Sequence, residues 1–196
     1  MSEAEARVQQ ELVAIVDVLS ELTGLTSQWS GEVELSQDPR VLGRKPFSCR
    51  IVLNERLADQ PVHWRTLIHE ALHSFSAGYN MTDYQAFLGW EEGVVEKTQR
   101  LLRPTILKRL GLRIDASIFM PIEAAHSFNK YVRAIERLRA ALSREDELEF
   151  YLDLLATQVK QRHNLLFGAG NRLPSKQRVT FITIFSEANS VLKEAP

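Results

Sequence analysis

The stretch TLIHEALHSFSAG, residues 66–78, decides what kind of fold this chain is expected to adopt. It contains two of the five histidines, His69 and His73, with Glu70 directly after the first. Residues four apart on an α-helix project from one face about one turn apart, so both imidazoles can bind one metal ion. Glu70 lies about 100° around the helix from His69, where its carboxylate can deprotonate a nearby water molecule. The stretch therefore predicts a helix with a zinc site; a chance match to the motif is the alternative.

A second segment, FLGWEEGVVEKTQR over residues 87–100, supplies the candidates for a third ligand. A zinc site that activates water needs three protein ligands and one open position. Glu91 and Glu92 are adjacent in this segment, and eighteen residues separate Glu92 from His73. Neighbouring helical positions differ by about 100°, so the two carboxylates cannot point at one metal ion equally well. The segment therefore predicts one glutamate ligand from a second helix.

The combined pattern of HExxH, eighteen residues and a glutamate followed by glycine resembles that of the gluzincin metallopeptidases. The spacing is similar to that of the aminopeptidase N group, and the resemblance covers about residues 48–97. It implies a minimal zincin-like catalytic core in which His69, His73 and Glu92 bind Zn²⁺. It also implies that Glu70 is the catalytic base and proton shuttle.

Two features of the resemblance favour Glu92 over Glu91 as the ligand. Gly93 matches the glycine of the family pattern, and Glu96 follows one helical turn later on the same face. Thermolysin-type relatives carry an acidic residue at this offset, where it orients a zinc-bound histidine, so Glu96 is expected to support the ligands by a hydrogen bond. The alternative for Glu96 is a salt bridge with Arg100. The alternative for Glu91 is a solvated carboxylate on the surface.

Related enzymes also place a tyrosine or histidine donor near the scissile carbonyl, from the helical part that follows the third ligand. The candidate donors in this chain are His126, Tyr131, Tyr151 and His163. Of these, His126 and Tyr131 are preferred as catalytic residues, on one helix but on different faces. The alternative for each residue is an ordinary place in the core or on the surface.

The N-terminal part of the chain shows both helical and strand patterns. Spaced apolar residues predict a helix over residues 3–23 that stops at Gly24. Alternating apolar residues predict strands over residues 31–36 and 48–57, with Cys49 on the core face of the second. The resemblance implies that this second strand is an edge strand that pairs with an extended peptide substrate.

The rest of the chain reads as helical. Thr82 and Gln85 fit a capping box for the glutamate helix, which Pro104 is expected to interrupt. Ser143 and Asp146 are the expected capping pair of a later helix. The later predicted helices cover residues 121–142, 143–161 and 176–193, with a loop over residues 167–175. The last of these helices is ambiguous with a strand because VTFITIF clusters its apolar residues.

These patterns predict an α+β fold that is mostly α, with a zincin-like core. Its parts are a small N-terminal antiparallel sheet, the HExxH helix, the glutamate helix and a helical C-terminal half. A single metallopeptidase-like domain is expected over residues 1–196. Within it, strands and zinc-binding helices would occupy residues 1–103, and a helical subdomain would occupy residues 104–196.

Composition narrows the partners and the compartment. The net charge of −1 gives no general electrostatic reason to bind nucleic acid or an anionic membrane. The chain has one cysteine, so it forms no intrachain disulfide, which fits a reducing compartment. No apolar run approaches the length that spans a membrane. We therefore expect a cytoplasmic protein that acts on a peptide or protein, with no nucleic acid or membrane partner; the oligomeric state is left open.

The sequence thus predicts a zinc-dependent peptidase that hydrolyses peptide bonds with a zinc-activated water and Glu70 as general base. One alternative is an inactive or regulatory zinc-binding interaction protein that keeps the zincin fold. A second alternative is a helical scaffold with a chance motif. Metal analysis separates the second alternative from the other two, and a Glu70→Gln variant separates the peptidase from the interaction protein.

Overall fold

The computed structural model describes residues 2–38, 40, 42–44 and 50–194. Two compact units make up the chain. Unit 1 consists of Met1–Phe75 and Gln99–Glu123, and unit 2 consists of Ser76–Thr98 and Ala124–Pro196. The expected single domain with a subdomain border at residue 103 stays a prediction. The described residues are mostly helical with one small sheet, which confirms the predicted α+β fold that is mostly α.

Unit 1 begins with helix α1 (Glu3–Thr23), which confirms the first predicted helix and its stop at Gly24. Ser2 and Glu5 form a capping box, in which each side chain accepts a hydrogen bond from the backbone N–H of the other. Gly24 ends the helix with φ of 68°, a left-handed conformation that glycine adopts without steric cost. The buried face of the helix consists of Val8, Leu12, Ile15 and Leu19.

Three short strands form one mixed sheet within the described residues, in the order β1-β3-β2. β1 (Val33–Ser36) and β3 (Ile51–Asn54) are parallel, whereas β2 (Gly43–Arg44) pairs antiparallel with β3. The predicted antiparallel sheet is therefore wrong. Parallel pairing requires the chain to return to the starting end of β1 before β3 begins, and β2 lies between these two strands in the sequence.

The central position of β3 overturns a second expectation. The strand predicted over residues 48–57 was to be an edge strand, but β3 has a neighbour on each side. All four of its residues are buried, which is typical of a central strand. Within the described residues, β1 and β2 are the edges of the sheet. Cys49, expected on the core face of this strand, lies outside the described residues.

Helix α2 (His63–His73) carries the motif and is buried along its whole length. The quoted stretch extends to Gly78, but the α-helix ends at His73. Tighter turns follow, in which the N–H of Ser74 bonds to the carbonyl of Ala71. Gly78 then takes φ of 68°. Both motif histidines therefore lie in the last two turns of α2.

Helix α4 (Leu88–Arg109) belongs to both units, since its first part lies in unit 2 and its last part in unit 1. The expected interruption at Pro104 is wrong, because the helix continues through this residue. Pro104 is exposed. At an exposed position, the carbonyl that loses its N–H partner can bond to water instead, so the proline costs less than it would in the core. The short α5 (Met120–Ala124) follows in the chain.

The preceding helix in unit 2, α3 (Met81–Ala86), is separate from α4, so the expected capping box of Thr82 and Gln85 is wrong. Asn80 caps α3 instead, with its side-chain oxygen accepting from the N–H of Asp83. The side-chain oxygen of Asn80 thus takes the capping role that was expected of Thr82, two residues earlier in the chain. The chain therefore turns between α3 and α4 at Phe87.

The later helices of unit 2 differ in part from those that the sequence predicted. They are α6 (Asn129–Ala141), α7 (Glu147–Ala156), α8 (Arg162–Asn171) and α9 (Ser175–Leu192). The predicted helix over residues 121–142 is divided, because residues 125–128 separate α5 from α6. Asp146 caps α7, whereas its expected partner Ser143 lies outside the helix with φ of 54°. The last predicted helix is confirmed as α9, so VTFITIF is helical.

The segment FGAGNRLPS was predicted to be a loop because of its glycines, but α8 covers it as far as Asn171. Gly170 shows why a glycine stands inside this helix. A Cβ atom at this position would lie 1.9 Å from Cε1 of Phe181, so only glycine allows α8 to pack on the Phe181 ring of α9. Among the described residues, no helix combines the length and the apolar character that a membrane span requires.

Candidate metal centre

The three predicted ligands come together in the structure. His69, His73 and Glu92 each offer one ligand atom, and these atoms lie within 4.8 Å of one another. The two imidazoles come from α2, with ring centroids 5.0 Å apart and ring planes at 78°. Glu92 comes from the second turn of α4. All three side chains are buried, so the group is shielded from bulk water.

The donor set fits a divalent metal ion. Two imidazoles and one carboxylate are a known ligand set of catalytic zinc sites, which bind zinc at about 2.0–2.2 Å and leave one position open. Tetrahedral bonds of that length place the ligand atoms roughly 3.4 Å apart. The observed upper limit of 4.8 Å is within reach of that value by small side-chain rotations. The group could therefore hold a metal ion, and the same donors also suit other first-row metals.

Glu70 lies on α2 between the two histidines and is 7% exposed. The edge strand β2 passes close to it. A Cβ atom at Gly43 would lie 3.1 Å from Oε1 of Glu70 and 2.4 Å from Cγ2 of Thr66, so the backbone of β2 can approach α2 here only because residue 43 is glycine. This close approach places a sheet edge beside the carboxylate of Glu70.

Glu91 is not the solvated surface carboxylate that the sequence predicted. Its side chain is fully buried, and Nη1 of Arg162 donates to its Oε2 at 2.7 Å. The hydroxyl of Ser76 donates to the same oxygen, and Nη2 of Arg162 lies 2.6 Å from that hydroxyl. Burial lowers the pKa of the Arg162 guanidinium, and the Glu91 carboxylate opposes this effect. A buried carboxylate is thus balanced by a buried guanidinium within unit 2.

Arg162 also fixes the backbone around this pair. Its Nη1 donates to the carbonyl of Trp90, and its Nε donates to the carbonyl of Leu154 at 2.7 Å. The guanidinium has five donors in a rigid plane, which suits it to hold several acceptors at once. The first turn of α4 is therefore anchored in its rotation about the helix axis. The sequence could not reveal this partner, because Arg162 lies far from Glu91 along the chain.

Gly93 has a packing role that accounts for its place after Glu92. A Cβ atom at Gly93 would lie 2.7 Å from Cδ1 of Ile135, and one at Gly89 would lie 2.7 Å from Cδ1 of Tyr131. The two glycines stand four apart and present one smooth face of α4 to α6. The glycine of the motif therefore lets α4 pack closely on its neighbour within unit 2.

A tyrosine that the sequence interpretation missed contacts the third ligand. Tyr84, on α3, donates its phenolic hydrogen to Oε1 of Glu92 at an oxygen–oxygen distance of 2.5 Å. Its ring lies edge-on to Tyr79, with centroids 5.6 Å apart. The available clue was the position of Tyr84 eight residues before Glu92, on a short helix capped by Asn80. Glu96, predicted to support the ligands, is fully buried one turn after Glu92.

The candidate donors all belong to unit 2, and their roles stay predictions. Tyr131 is fully buried, and its hydroxyl donates to the carbonyl of Glu194 at 2.9 Å. His126 is half-buried in the segment between α5 and α6, so it does not share a helix with Tyr131 as expected. The N–H of Phe128 donates to its Nδ1 at 3.4 Å.

The pKa values of the two remaining candidate donors, Tyr151 and His163, are shifted from their usual values. Burial raises the pKa of Tyr151 well above its usual value, helped by the nearby Glu136 carboxylate. His163 stacks on Phe87 with ring centroids 5.3 Å apart, and burial lowers the pKa of its imidazole, an effect that Lys193 adds to. Neither observation assigns a catalytic role.

A scan against family models matches no family, and searches of curated proteins and of solved structures return no significant match. The resemblance to gluzincins therefore depends on the motif residues and on how the chain arranges them.

Proposed function

We propose that this protein is a zinc-dependent peptidase with a gluzincin-like core, in which His69, His73 and Glu92 hold Zn²⁺. The observation that carries the proposal is the approach of three buried ligand atoms to within 4.8 Å of one another. The spacing of the motif predicted this group, and the donor set is one that catalytic zinc sites use. Glu70 adds the general base that hydrolysis requires, next to the first ligand on the same helix.

In the proposed reaction, the metal ion and Glu70 have different roles. When bound, zinc would supply a Lewis acid that lowers the pKa of water and polarises the scissile carbonyl. Glu70 would accept a proton from the attacking water and deliver it to the leaving amine. The Glu70 carboxylate is buried beside Gly43, which restricts its side-chain freedom and holds it in place for both transfers.

In this proposal the peptide substrate pairs with β2 rather than with β3. β2 is an edge strand, and its Gly43 lies against Glu70, whereas β3 is enclosed on both sides. An extended peptide can add to an exposed sheet edge through main-chain hydrogen bonds. A peptide paired with β2 would run past the Glu70 carboxylate, which supports a peptide or protein as the substrate.

The test compares wild type with Glu70→Gln in a cleavage screen on a proteome digest. Glutamine keeps the size of glutamate but cannot accept the proton, so we expect zinc to be retained and hydrolysis to fall by about 10²–10⁴-fold. Elemental analysis of both proteins, expected to give about one zinc per chain, provides the control. Cleavage by the variant within a few-fold of wild type would contradict the role of Glu70.

One observation favours the second candidate, a zinc-binding interaction protein without turnover. Glu70 and all three ligands are buried, and a closed environment is typical of structural zinc sites. Zinc bound at one ion per chain, together with no product from the wild-type protein on any digest, would support this candidate. A His69→Ala/His73→Ala variant that retains full zinc would contradict both.

A further inference from the structure

The hydrogen bond from Tyr84 to Glu92 connects the short helix α3 to one of the three candidate metal ligands. α3 has no buried residue, and some of its contacts in unit 2 are polar. Asn80 caps its first turn and also donates to the carbonyl of Gly78 at 2.7 Å. Asp83 forms an ion pair with Lys160 at 3.6 Å. The phenol of Tyr84 thus reaches Glu92 from a helix that has no buried residue.

We infer that Tyr84 is a positioning residue for the metal ligand Glu92, and that the docking of α3 controls the metal affinity through it. This inference depends on the proposed metal site. Glutamate has three rotatable side-chain bonds, so an unsupported carboxylate loses considerable freedom when it binds a metal. A phenol that donates to one of its oxygens removes part of that freedom in advance.

The geometry supports this assignment in two ways. The Tyr84 hydroxyl donates to Oε1 of Glu92, and a hydrogen bond to an ionised acceptor is stronger than one between neutral groups. The T-shaped contact with Tyr79 also restricts the orientation of the Tyr84 ring. A carboxylate offers about four lone-pair sites on its two oxygens, so Glu92 can accept the phenol and still bind a metal.

The decisive variant is Tyr84→Phe, which removes the hydroxyl and keeps the ring. Loss of a group that hydrogen-bonds a metal ligand typically weakens metal binding by about 10–100-fold. We expect a shift of that size in the zinc dissociation constant, measured by competition with a chromogenic chelator. The visible spectrum of the Co²⁺-loaded protein should change as well, because the ligand field depends on how Glu92 is held.

Thr157→Val is the control for the loss of a hydroxyl elsewhere in the same unit, since the Thr157 hydroxyl donates to the carbonyl of Asp153. Zinc affinity and the Co²⁺ spectrum should match those of wild type. A loss of zinc affinity as large as that of Tyr84→Phe would overturn the inference, because the loss of any hydroxyl would then have the same effect.

Asn80→Ala tests the role of α3 separately. Without its cap the helix frays, so zinc affinity should fall in this variant too. If the effect acts through Tyr84, the double variant Asn80→Ala/Tyr84→Phe should bind zinc no more weakly than Tyr84→Phe alone. Additive losses would overturn the coupling to α3.

The outcomes separate this inference from the proposed function. A wild-type protein that binds zinc and cleaves peptides, with unchanged zinc affinity in Tyr84→Phe, would overturn the role of Tyr84 and leave the peptidase proposal standing. A wild-type protein that binds zinc but cleaves nothing, with weakened affinity in Tyr84→Phe, would support the role of Tyr84 and remove the peptidase. A wild-type protein that binds no zinc would overturn both.

Discussion

Glu91 and Glu92 are adjacent on α4, and both are buried, but their surroundings differ in kind. Glu91 meets the guanidinium of Arg162, so the chain itself supplies the compensating positive charge. Glu92 meets the imidazoles of His69 and His73 and the phenol of Tyr84, which are groups that arrange a metal ligand. A rotation of about 100° between neighbouring positions separates a permanent ion pair from a candidate cation site.

The difference shows how one helix can serve two purposes. A buried carboxylate is costly unless a charge partner and hydrogen bonds compensate it. At Glu91 this compensation is built into the fold and holds the first turn of α4. The same anchoring sets the direction of Glu92, because Arg162 also binds the carbonyl of Trp90. We therefore interpret Glu91 as structural and Glu92 as the residue that could bind a metal ion.

The largest expected effects come from removing each of the two carboxylates in turn. Glu92→Ala should weaken zinc binding by more than about 100-fold, because a ligand is worth more than the outer partners that orient it. Glu91→Ala should instead lower the free energy of unfolding by about 3–5 kcal/mol, because it leaves Arg162 buried without its carboxylate. Zinc titration and urea denaturation of both variants measure these effects. Equal losses in both assays would break the distinction between the two residues.

Substitution of Arg162, the partner of Glu91 in the ion pair, should lower the free energy of unfolding by a similar amount and leave zinc binding unchanged. Arg162→Met leaves the Glu91 carboxylate buried and unbalanced, at a cost of about 3–5 kcal/mol in the free energy of unfolding. Arg137→Met is the control, because the Arg137–Glu187 pair is about half exposed and should contribute less than about 1 kcal/mol. Urea unfolding curves compare the two. Similar losses would mean that burial does not decide the strength of these pairs.

The smallest expected effect concerns the packing face of α4. Gly93→Ala places a methyl group against Ile135 and Tyr131, so we expect a loss of about 1–3 kcal/mol in the free energy of unfolding. Gly168→Ala is the control, since nothing lies within 4 Å of its added Cβ and alanine favours the helix by up to about 1 kcal/mol. Thermal melts should therefore shift in opposite directions. A neutral Gly93→Ala would show that the glycine has no packing role.

Local patterns were sufficient for some elements. The periodic apolar residues and Gly24 predicted α1 with its observed ends, since capping and amphipathic spacing are properties of neighbouring residues. The same reasoning failed for the segment at residues 167–175, because glycine is used there for a close contact with Phe181. It failed for the sheet too, since the parallel pairing of β1 with β3 is a long-range contact that local alternation does not encode.

The sequence by itself determined that His69 and His73 share one helical face, because spacing along a helix is enough to place side chains on a face. The choice of Glu92 over Glu91 came from the resemblance to the gluzincin pattern, in which a glycine follows the glutamate. Only the tertiary structure decided what surrounds these residues. Arg162 reaches Glu91 from a distant helix, Tyr84 reaches Glu92 from a separate one, and Gly43 reaches Glu70 from a strand. Such partners depend on long-range packing, which no local pattern encodes.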